Sequence, residues 1–273
     1  LFNALTASKN AEAANFPFCT IDPNIGIVDV IDERLDKLSE LSKSKKKIYT
    51  NITFVDIAGL VKGASKGEGL GNKFLSHIRE VDAIIHLVRC FESEKITHVN
   101  SNINPVEDLE TIKTEIILSD IDIIQKKLEK GKKKLLEEKQ IKILEEKLDQ
   151  LNKGKEISVN EVDEKKLLST LGLLSIKPKI IVCNVDEGSL TNGNAFTGEV
   201  NKKYSNEKVV SICADIEDQI MGLDKSERET FMREIGLNKT GLNQLIKEGY
   251  ELLNLDTFFT SGPEESRAWT VEK

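Results

Sequence analysis

Residues 52–59 read Ile52-Thr53-Phe54-Val55-Asp56-Ile57-Ala58-Gly59, and this stretch decides the fold. A short β-rich run ends in Asp56, and Gly59 follows three residues later. This order is typical of a strand that serves a nucleoside triphosphate, because the carboxylate can hold Mg²⁺ through water and the glycine N–H can approach the γ-phosphate. We therefore predict Asp56 as a metal ligand and Gly59 as a nucleotide-binding residue.

A glycine-rich segment follows this strand. Its four glycines lie within nine residues and are Gly63, Gly67, Gly69 and Gly71. Such a segment can change conformation when a γ-phosphate leaves, so it favours the nucleotide interpretation. A flexible surface loop is the alternative, but it would not require the strand and Asp56 in front of it.

Thr20 is the predicted second metal ligand. It ends the stretch Asn15-Phe16-Pro17-Phe18-Cys19-Thr20, which precedes the β-rich run that starts at Gly26. In such a loop the threonine hydroxyl and carbonyl can reach Mg²⁺ and the γ-phosphate. A lone threonine means little, but the order of threonine, strand and Asp-x-x-Gly is that of switch I and switch II in GTPase-like proteins.

A base-reading motif is predicted at Asn184-Val185-Asp186-Glu187, directly after the β-rich run that starts at Lys179. It has the position and shape of the guanine-reading Asn-Lys-x-Asp motif, in altered form. Glu187 is one methylene longer than aspartate, and Val185 replaces the lysine whose stem covers the base. A carboxylate aimed at adenine N1 would meet an acceptor, so adenine would have to be read by other groups, such as the backbone near Val185. The change weakens the case for strict GTP specificity, and we predict Asn184, Val185 and Glu187 as nucleotide-binding residues.

A second base-binding loop is predicted at Ser211-Ile212-Cys213-Ala214-Asp215, which follows the last β-rich run. It stands where a Ser-Ala-Lys loop normally lies behind the base. We therefore add Cys213 and Ala214 to the predicted nucleotide-binding residues.

The fold class predicted from the whole chain is α/β. Five short β-rich runs alternate with helical patterns, which is typical of a wound, mostly parallel sheet with buried strands. From residue 106 to residue 174 the chain is rich in Lys and Glu, with apolar residues at spacings of three and four. This pattern predicts an antiparallel helical coiled coil inserted between two strands. Its lysines between Lys126 and Lys134 could contact RNA phosphate, or they could form a solvated helix face. The β-rich runs are 26–30, 52–56, 83–89, 179–184 and 208–213.

Composition narrows the class of protein. The 273 residues include 39 Lys and Arg against 46 Asp and Glu, a net charge of −7. This balance argues against a protein that wraps nucleic acid, so no DNA partner is expected. The four cysteines lie far apart, so neither a zinc site nor a disulfide framework is indicated. No apolar stretch approaches the roughly 18 residues that span a bilayer, and we expect a cytoplasmic protein without a membrane partner.

The motifs together resemble those of the YchF family of Obg-like ATPases, within the translation-factor-like P-loop NTPases. The resemblance is carried by Asn15–Thr20, Phe54–Gly71, Asn184–Glu187 and the ending Arg267-Ala268-Trp269-Thr270. It implies a P-loop NTPase G domain, an inserted coiled coil and a C-terminal TGS domain of β-grasp type. It also implies a Mg²⁺-dependent ATPase that prefers ATP to GTP and associates with the ribosome, with the large subunit as the expected contact.

The resemblance also sets the predicted domain boundaries. Residues 1–105 and 175–255 form the two parts of the G domain, residues 106–174 the coiled coil, and residues 256–273 the beginning of the TGS domain. The phosphate-binding loop and the central strand before it would precede Leu1, so we expect a fragment that is inactive alone. Because two sheet edges would stay unpaired, we also expect it to be poorly soluble or partly unfolded.

The sequence motifs do not by themselves identify the catalytic group. Leu60 stands where Ras-like enzymes carry the glutamine that positions water, and its side chain can neither donate nor accept a hydrogen bond. Among the three histidines we predict His98, because it lies in a polar segment after a strand and can approach the nucleotide. A plain loop histidine is the alternative. An Obg-type GTPase and a non-enzymatic ribosome- or RNA-binding scaffold remain open as functions.

Overall fold

The computed structural model describes residues 1–6, 23–57, 70–93, 102–131, 136–159, 161–237 and 239–273. The chain divides into two compact units. The first comprises Leu1–Asp56, Ile85–Pro105 and Lys179–Lys273, and the second comprises Ile57–Ile84 and Val106–Pro178. The domain boundaries expected from the sequence, including a separate domain that begins at residue 256, stay predictions.

Helices and strands alternate in part of the described chain. In chain order they are α1 (Phe2–Thr6), β1 (Asn24–Val30), α2 (Glu33–Ser42), β2 (Lys46–Ile48), β3 (Thr50–Asp56), α3 (Leu70–Glu80), β4 (Ile84–Arg89), α4 (Pro105–Gly131), α5 (Glu138–Asn152), α6 (Val162–Thr170), β5 (Lys179–Asn184), α7 (Ala195–Lys203), β6 (Lys208–Ile212), α8 (Ala214–Met221), α9 (Lys225–Glu234), α10 (Gly241–Leu252), β7 (Leu255–Ser261) and β8 (Glu265–Glu272). Among these described elements, three helices follow one another between β4 and β5 and again between β6 and β7. All five β-rich runs of the sequence form strands, namely β1, β3, β4, β5 and β6.

The sheet that carries the predicted base-binding loops has the strand order β4-β5-β6. β5 and β6 run parallel, with a register from Ile180 opposite Lys208 to Asn184 opposite Ile212. The stretch 180–183 is at most 1% exposed, a continuous apolar run of the kind that a parallel strand needs when both its faces are covered. Because the carboxyl ends of parallel strands meet at the same edge of a sheet, the loops after β5 and β6 lie side by side.

β1 and β3 form an antiparallel pair, with Asn24 opposite Asp56. Side chains alternate between its two faces, as the pleat requires. On one face of β1, Ile25 and Ile27 are 66% and 67% exposed. The other face packs into a core that also takes side chains from β5, β6 and α10. The buried residues of this core are Ala4, Leu5, Phe54, Ile180, Val182, Val210, Ile212, Leu242 and Leu245.

Four strands of these two sheets keep an edge open within the described part of the chain. There, β3 pairs with β1 alone and β4 pairs with β5 alone, and the same holds for β1, which pairs only with β3, and for β6, which pairs only with β5. Open edges of this kind expose main-chain hydrogen-bonding groups to other chains. The poor solubility expected from the sequence stays a prediction.

The hairpin of β7 and β8 forms a three-stranded sheet with β2. β2 runs parallel to β8 and begins with Lys46 opposite Glu265. The hydroxyl of Ser44 donates to the carbonyl oxygen of Gly262 in the hairpin turn at 2.7 Å. The sequence predicted the beginning of a TGS domain over residues 256–273, and the structure forms two strands there, β7 and β8, with β2 as a distant partner.

The second unit is built around α4, which is 27 residues long. No helix in the described ranges combines the length and the apolar character that crossing a bilayer requires. α4, α5 and α6 contribute to one apolar core. Its buried members are Ile117, Ile124, Leu128, Leu144, Leu151, Ile157, Leu168 and Leu173.

Lys147 is a cation inside this helical core. Only 1% of its side chain is exposed. Its ammonium group pairs with the carboxylate of Glu164 and donates to the main-chain carbonyl of Ser158 at 2.8 Å. Removing one member of a buried pair leaves the other charge without a partner, which costs far more than losing an exposed ion pair.

α3, the helix after the glycine-rich segment, is held within the second unit by polar contacts. Arg79 donates to the hydroxyl of Ser119 on α4 at 2.6 Å. The ammonium group of Lys177 donates to the carbonyl oxygens of Arg79, at 3.1 Å, and of Val81, and burial lowers the pKa of Lys177. Asp120 on α4 accepts two main-chain N–H bonds from the segment before β5, and burial raises its pKa. These contacts make α3 part of the helical unit.

Replacing Lys147 by alanine is expected to lower the free energy of unfolding of the helical unit by about 3–5 kcal/mol, because the buried carboxylate of Glu164 loses its ion pair with Lys147. The matched control is Lys126→Ala, which removes an exposed pair with Asp122 and should cost less than about 0.5 kcal/mol. Urea unfolding followed by circular dichroism measures both changes. Equal costs would show that the Lys147 pair contributes no more than a surface pair.

Candidate nucleotide-binding site

The predicted site residues fall into two groups. Thr20, Gly59 and His98 lie outside the residues that the structure describes, as does Leu60. Asp56 is described and is the last residue of β3. The remaining five lie together at the carboxyl ends of β5 and β6, and they are Asn184, Val185, Glu187, Cys213 and Ala214.

Asn184 ties the two base-binding loops together. Its side-chain Oδ1 accepts a hydrogen bond from the main-chain N–H of Ala214 at 3.0 Å. Because a main-chain N–H can only donate, this bond fixes which end of the amide faces Ala214. The amino group of Asn184 is therefore directed away from the bond and can donate to another acceptor.

The residues after Asn184 have separate structural roles. The main-chain N–H of Val185 donates to the carbonyl of Ile212 at 2.9 Å, so it extends the ladder between β5 and β6, and its side chain is buried. Asp186 accepts from the main-chain N–H of Ser189 at 2.8 Å and thereby caps a short 3₁₀ turn. Glu187 begins that turn and is exposed. Of the two carboxylates in the motif, Glu187 is the one that local capping does not engage.

Cys213 and Ala214 form the start of α8. Cys213 occupies the N-cap position, and only 3% of the residue is exposed. Burial raises the pKa of its thiol, and the carboxylates of Asp215 and Glu187 add to this effect. A thiol with a raised pKa is a poor nucleophile, so Cys213 is suited to packing rather than to covalent chemistry.

Two residues that the sequence did not point to support Asn184 from the side of β4. The main-chain N–H of Cys90 donates to the carbonyl of Asn184 at 2.8 Å, and the side-chain amino group of Asn194 donates to the carbonyl of Cys90 at 2.7 Å. A hydrogen bond with Cys90 also lowers the pKa of the Cys183 thiol. The capping box of Asn194 and Thr197 at the start of α7 is readable from sequence, but the bond to Cys90 is not.

These loops can recognise a planar heterocycle by its edge. The amino group of Asn184 is a donor whose orientation is fixed, and the carboxylate of Glu187 is an exposed acceptor. Both lie at the carboxyl ends of strands in an open α/β sheet, which is where such sheets bind ligands.

Asp56 is the described part of the predicted metal site. A carboxylate is the hard oxygen donor that Mg²⁺ prefers. Opposite it on β1, the side-chain Nδ2 of Asn24 is buried and has no hydrogen-bond partner among the described residues. Waters bound to Mg²⁺ donate hydrogen bonds rather than accept them, so this donor is not part of the metal site, and Asp56 is the described residue that fits Mg²⁺. Among the described residues, no group of three or more His, Cys, Asp and Glu is arranged to hold a metal.

Several known proteins are similar to this chain in sequence and in fold. A protein family described as 50S ribosome-binding GTPase matches residues 1–184. The ribosome-binding ATPase YchF of Bacillus subtilis (strain 168) is 45% identical over 285 residues, covering 100% of this chain and 77% of the relative. The protein of the same name from Escherichia coli O157:H7 is 46% identical over 282 residues, covering 99% and 77%. A solved structure titled "Structure of the Schizosaccharomyces pombe YchF GTPase" matches with a TM-score of 0.83 at 32% identity, over 100% of this chain and 76% of that one.

These matches first define the class. The chain has the α/β fold of a P-loop GTPase G domain, which confirms the predicted fold class. Within that class, the chain belongs to the YchF family, and the resemblance inferred from the motifs is confirmed.

In the native protein, Cys90, Cys183 and Cys213 should resist alkylation near neutral pH, because all three thiols are buried. The raised pKa of Cys213 also leaves little reactive thiolate. Timed iodoacetamide treatment followed by peptide-resolved mass spectrometry measures each thiol separately. Unfolding in urea should make all three react and serves as the control. Rapid labelling of Cys213 without denaturant would contradict the buried position of the second loop.

Proposed function

We propose that this protein is a Mg²⁺-dependent nucleoside triphosphatase that prefers ATP to GTP and acts as a ribosome-associated switch in the cytoplasm. Two bacterial relatives are named ribosome-binding ATPases, whereas the related solved structure is titled a GTPase. These names agree that the proteins hydrolyse a nucleotide, but they differ on whether its base is adenine or guanine. The base preference therefore has to be argued from the site.

The preference for ATP is supported chiefly by the altered base motif in its folded geometry. In guanine readers, a terminal aspartate accepts hydrogen bonds from both N1–H and N2–H₂. Here the corresponding carboxylate belongs to Glu187, which is exposed and one methylene longer. A site that does not hold this paired acceptor in place loses most of its discrimination in favour of guanine.

Adenine presents an acceptor at N1 and an amino donor at N6. The N–H of Val185 is already bonded to Ile212 at 2.9 Å, so it is not the group that donates to N1. The amino group of Asn184 suits the acceptor N7 of a purine, and the carboxylate of Glu187 suits the N6 amino group. The side chain of Val185 is 2% exposed, so it does not cover the base as a lysine stem would.

Hydrolysis is proposed to proceed by in-line attack of water on the γ-phosphate. Asp56 and Thr20 hold the metal, and the N–H of Gly59 binds the γ-phosphate. When bound, Mg²⁺ supplies positive charge to the phosphate oxygens. His98 is the proposed group that orients the attacking water, because Leu60 offers no hydrogen bond.

Calorimetric titration of the full-length protein in the presence of Mg²⁺ should give a dissociation constant for ATP at least about tenfold below that for GTP, a difference of about 1.4 kcal/mol. Asn184→Ala should weaken both nucleotides, because it removes a donor and the bond to Ala214. The matched control is Asn201→Ala, which removes one bond from an asparagine side chain to the carbonyl of Thr197 on α7 and should weaken neither. A tenfold preference for GTP would instead favour an Obg-type GTPase.

The ribosome contact is proposed to include the basic surface of α4, with the large subunit as the partner. Lys126 and Lys130 are exposed on this helix. Exposed lysines bind phosphate backbones through long-range attraction that salt weakens. The names of the bacterial relatives support a ribosomal partner, and the charge of Lys126 and Lys130 suits a phosphate backbone.

Charge reversal of Lys126 and Lys130 to glutamate should reduce co-sedimentation with ribosomes and with isolated large subunits, most strongly at low salt. Reversal of Lys165 and Lys166, which are exposed on α6, is the matched control and should have little effect. Equal losses in both variants would point to a general charge effect. Ribosome binding that is the same with and without nucleotide, and that is unchanged by Asn184→Ala, would favour a non-enzymatic scaffold.

A further inference from the structure

Glu217 is a buried carboxylate with no role in the site described so far. It lies on α8, one turn after Cys213, and is 2% exposed. Its Oε1 accepts a hydrogen bond from the main-chain N–H of Gly241 at 2.6 Å. Its Oε2 is buried without a partner among the described residues, and burial raises the pKa of the group. The carboxylate is thus directed at a single structural element.

That element is the beginning of α10. The opening N–H groups of a helix have no acceptor within the helix and favour a nearby carboxylate. Thr240 accepts one of them, from Asn243 at 3.1 Å, and Glu217 accepts that of Gly241. Glycine at position 241 permits the close approach, because a Cβ there would lie 3.0 Å from Oε1 of Glu217.

α10 is fixed to the sheet of the first unit. Leu245 is fully buried, and Leu242 is 9% exposed. Both pack in the same core as Val182 of β5 and Ile212 of β6. A side chain that grips the start of α10 is therefore attached to the core of the sheet.

α8, in contrast, begins with the second base-binding loop. The N–H of Ala214 donates to Asn184 at 3.0 Å. The N–H of Glu217 donates to the carbonyl of Cys213 at 3.1 Å, which closes the first turn of the helix. One turn of α8 therefore carries the loop at its start and the carboxylate at its end, so the position of one determines the position of the other.

We propose that Glu217 is a positioning residue for the nucleotide base. By attaching the first turn of α8 to α10, it holds Ala214 and Asn184 in the geometry that receives the base. This inference rests on the proposed nucleotide-binding function. It requires that loss of the attachment weakens a ligand that has a base and spares a ligand that has only phosphates.

The test compares ATP with inorganic tripolyphosphate, each with Mg²⁺, by calorimetry on the full-length protein. Glu217→Ala should weaken ATP about tenfold and change tripolyphosphate by less than about twofold. Glu217→Gln keeps an acceptor for the N–H of Gly241 and should restore ATP binding. The matched control is Asp224→Ala, which removes a carboxylate that caps α9 by accepting from Glu227 at 2.9 Å and should leave both ligands unchanged.

A second variant keeps the proposal testable if Glu217→Ala does not fold. Gly241→Ala retains the carboxylate, but its Cβ would lie 2.9 Å from Cγ1 of Ile212 and 3.0 Å from Oε1 of Glu217, so the attachment of α8 to α10 must shift. ATP binding should therefore weaken selectively, although alanine is the better helix former. In either variant, hydrogen exchange at the Ala214 amide should become faster in the absence of nucleotide.

Two outcomes would overturn the proposal, namely unchanged ATP affinity in the variants or a parallel loss for ATP and tripolyphosphate. Failure of the proposed function is seen in a different place. It appears as a wild-type protein that does not bind ATP, whether or not it binds tripolyphosphate.

Discussion

Parallel pairing of β5 with β6 is the interaction on which the described base-binding loops depend. Its register sets Asn184 opposite Ile212 and brings the start of α8 beside the end of β5. A shift of one residue would move Asn184 away from Ile212 and separate the two loops. The bond from Val185 to Ile212 continues the same ladder into the loop. Recognition is thus built on the most buried strand of the sheet.

The sequence predicted the strands whose signal is local, and it missed those that depend on distant partners. The run that became β5 is apolar throughout, so its burial could be inferred without knowing its neighbours. β2 has three residues and a single half-buried position, and its partner Glu265 lies far away in the chain. Nor could periodicity show that α3 joins the helical unit, because Arg79 and Lys177 meet only after folding.

The candidate site shows the same division. The motifs predicted that the loops at Asn184 and Ala214 bind the same base, and the structure joins the two loops by a hydrogen bond. Cys90 and Glu217 were not predicted, since each acts through main-chain groups of another element. Every residue except proline has a main-chain N–H, so a sequence motif does not reveal which main-chain group makes a contact. The roles of Thr20, Gly59 and His98 stay predictions, because these residues lie outside the described part of the chain.

Because Lys147 and Glu164 form a buried ion pair, we expect substitutions at the two positions to depend on each other during evolution. A lineage that loses the lysine alone keeps a buried carboxylate, one that loses the glutamate alone keeps a buried ammonium group, and both intermediates are less stable than the ancestor. Joint replacement by well-packed apolar side chains can be neutral or even stabilising. The two positions should therefore show correlated substitution across diverging genomes. Exposed pairs such as Asp149 with Lys153 escape this constraint, because either partner can drift alone at little cost.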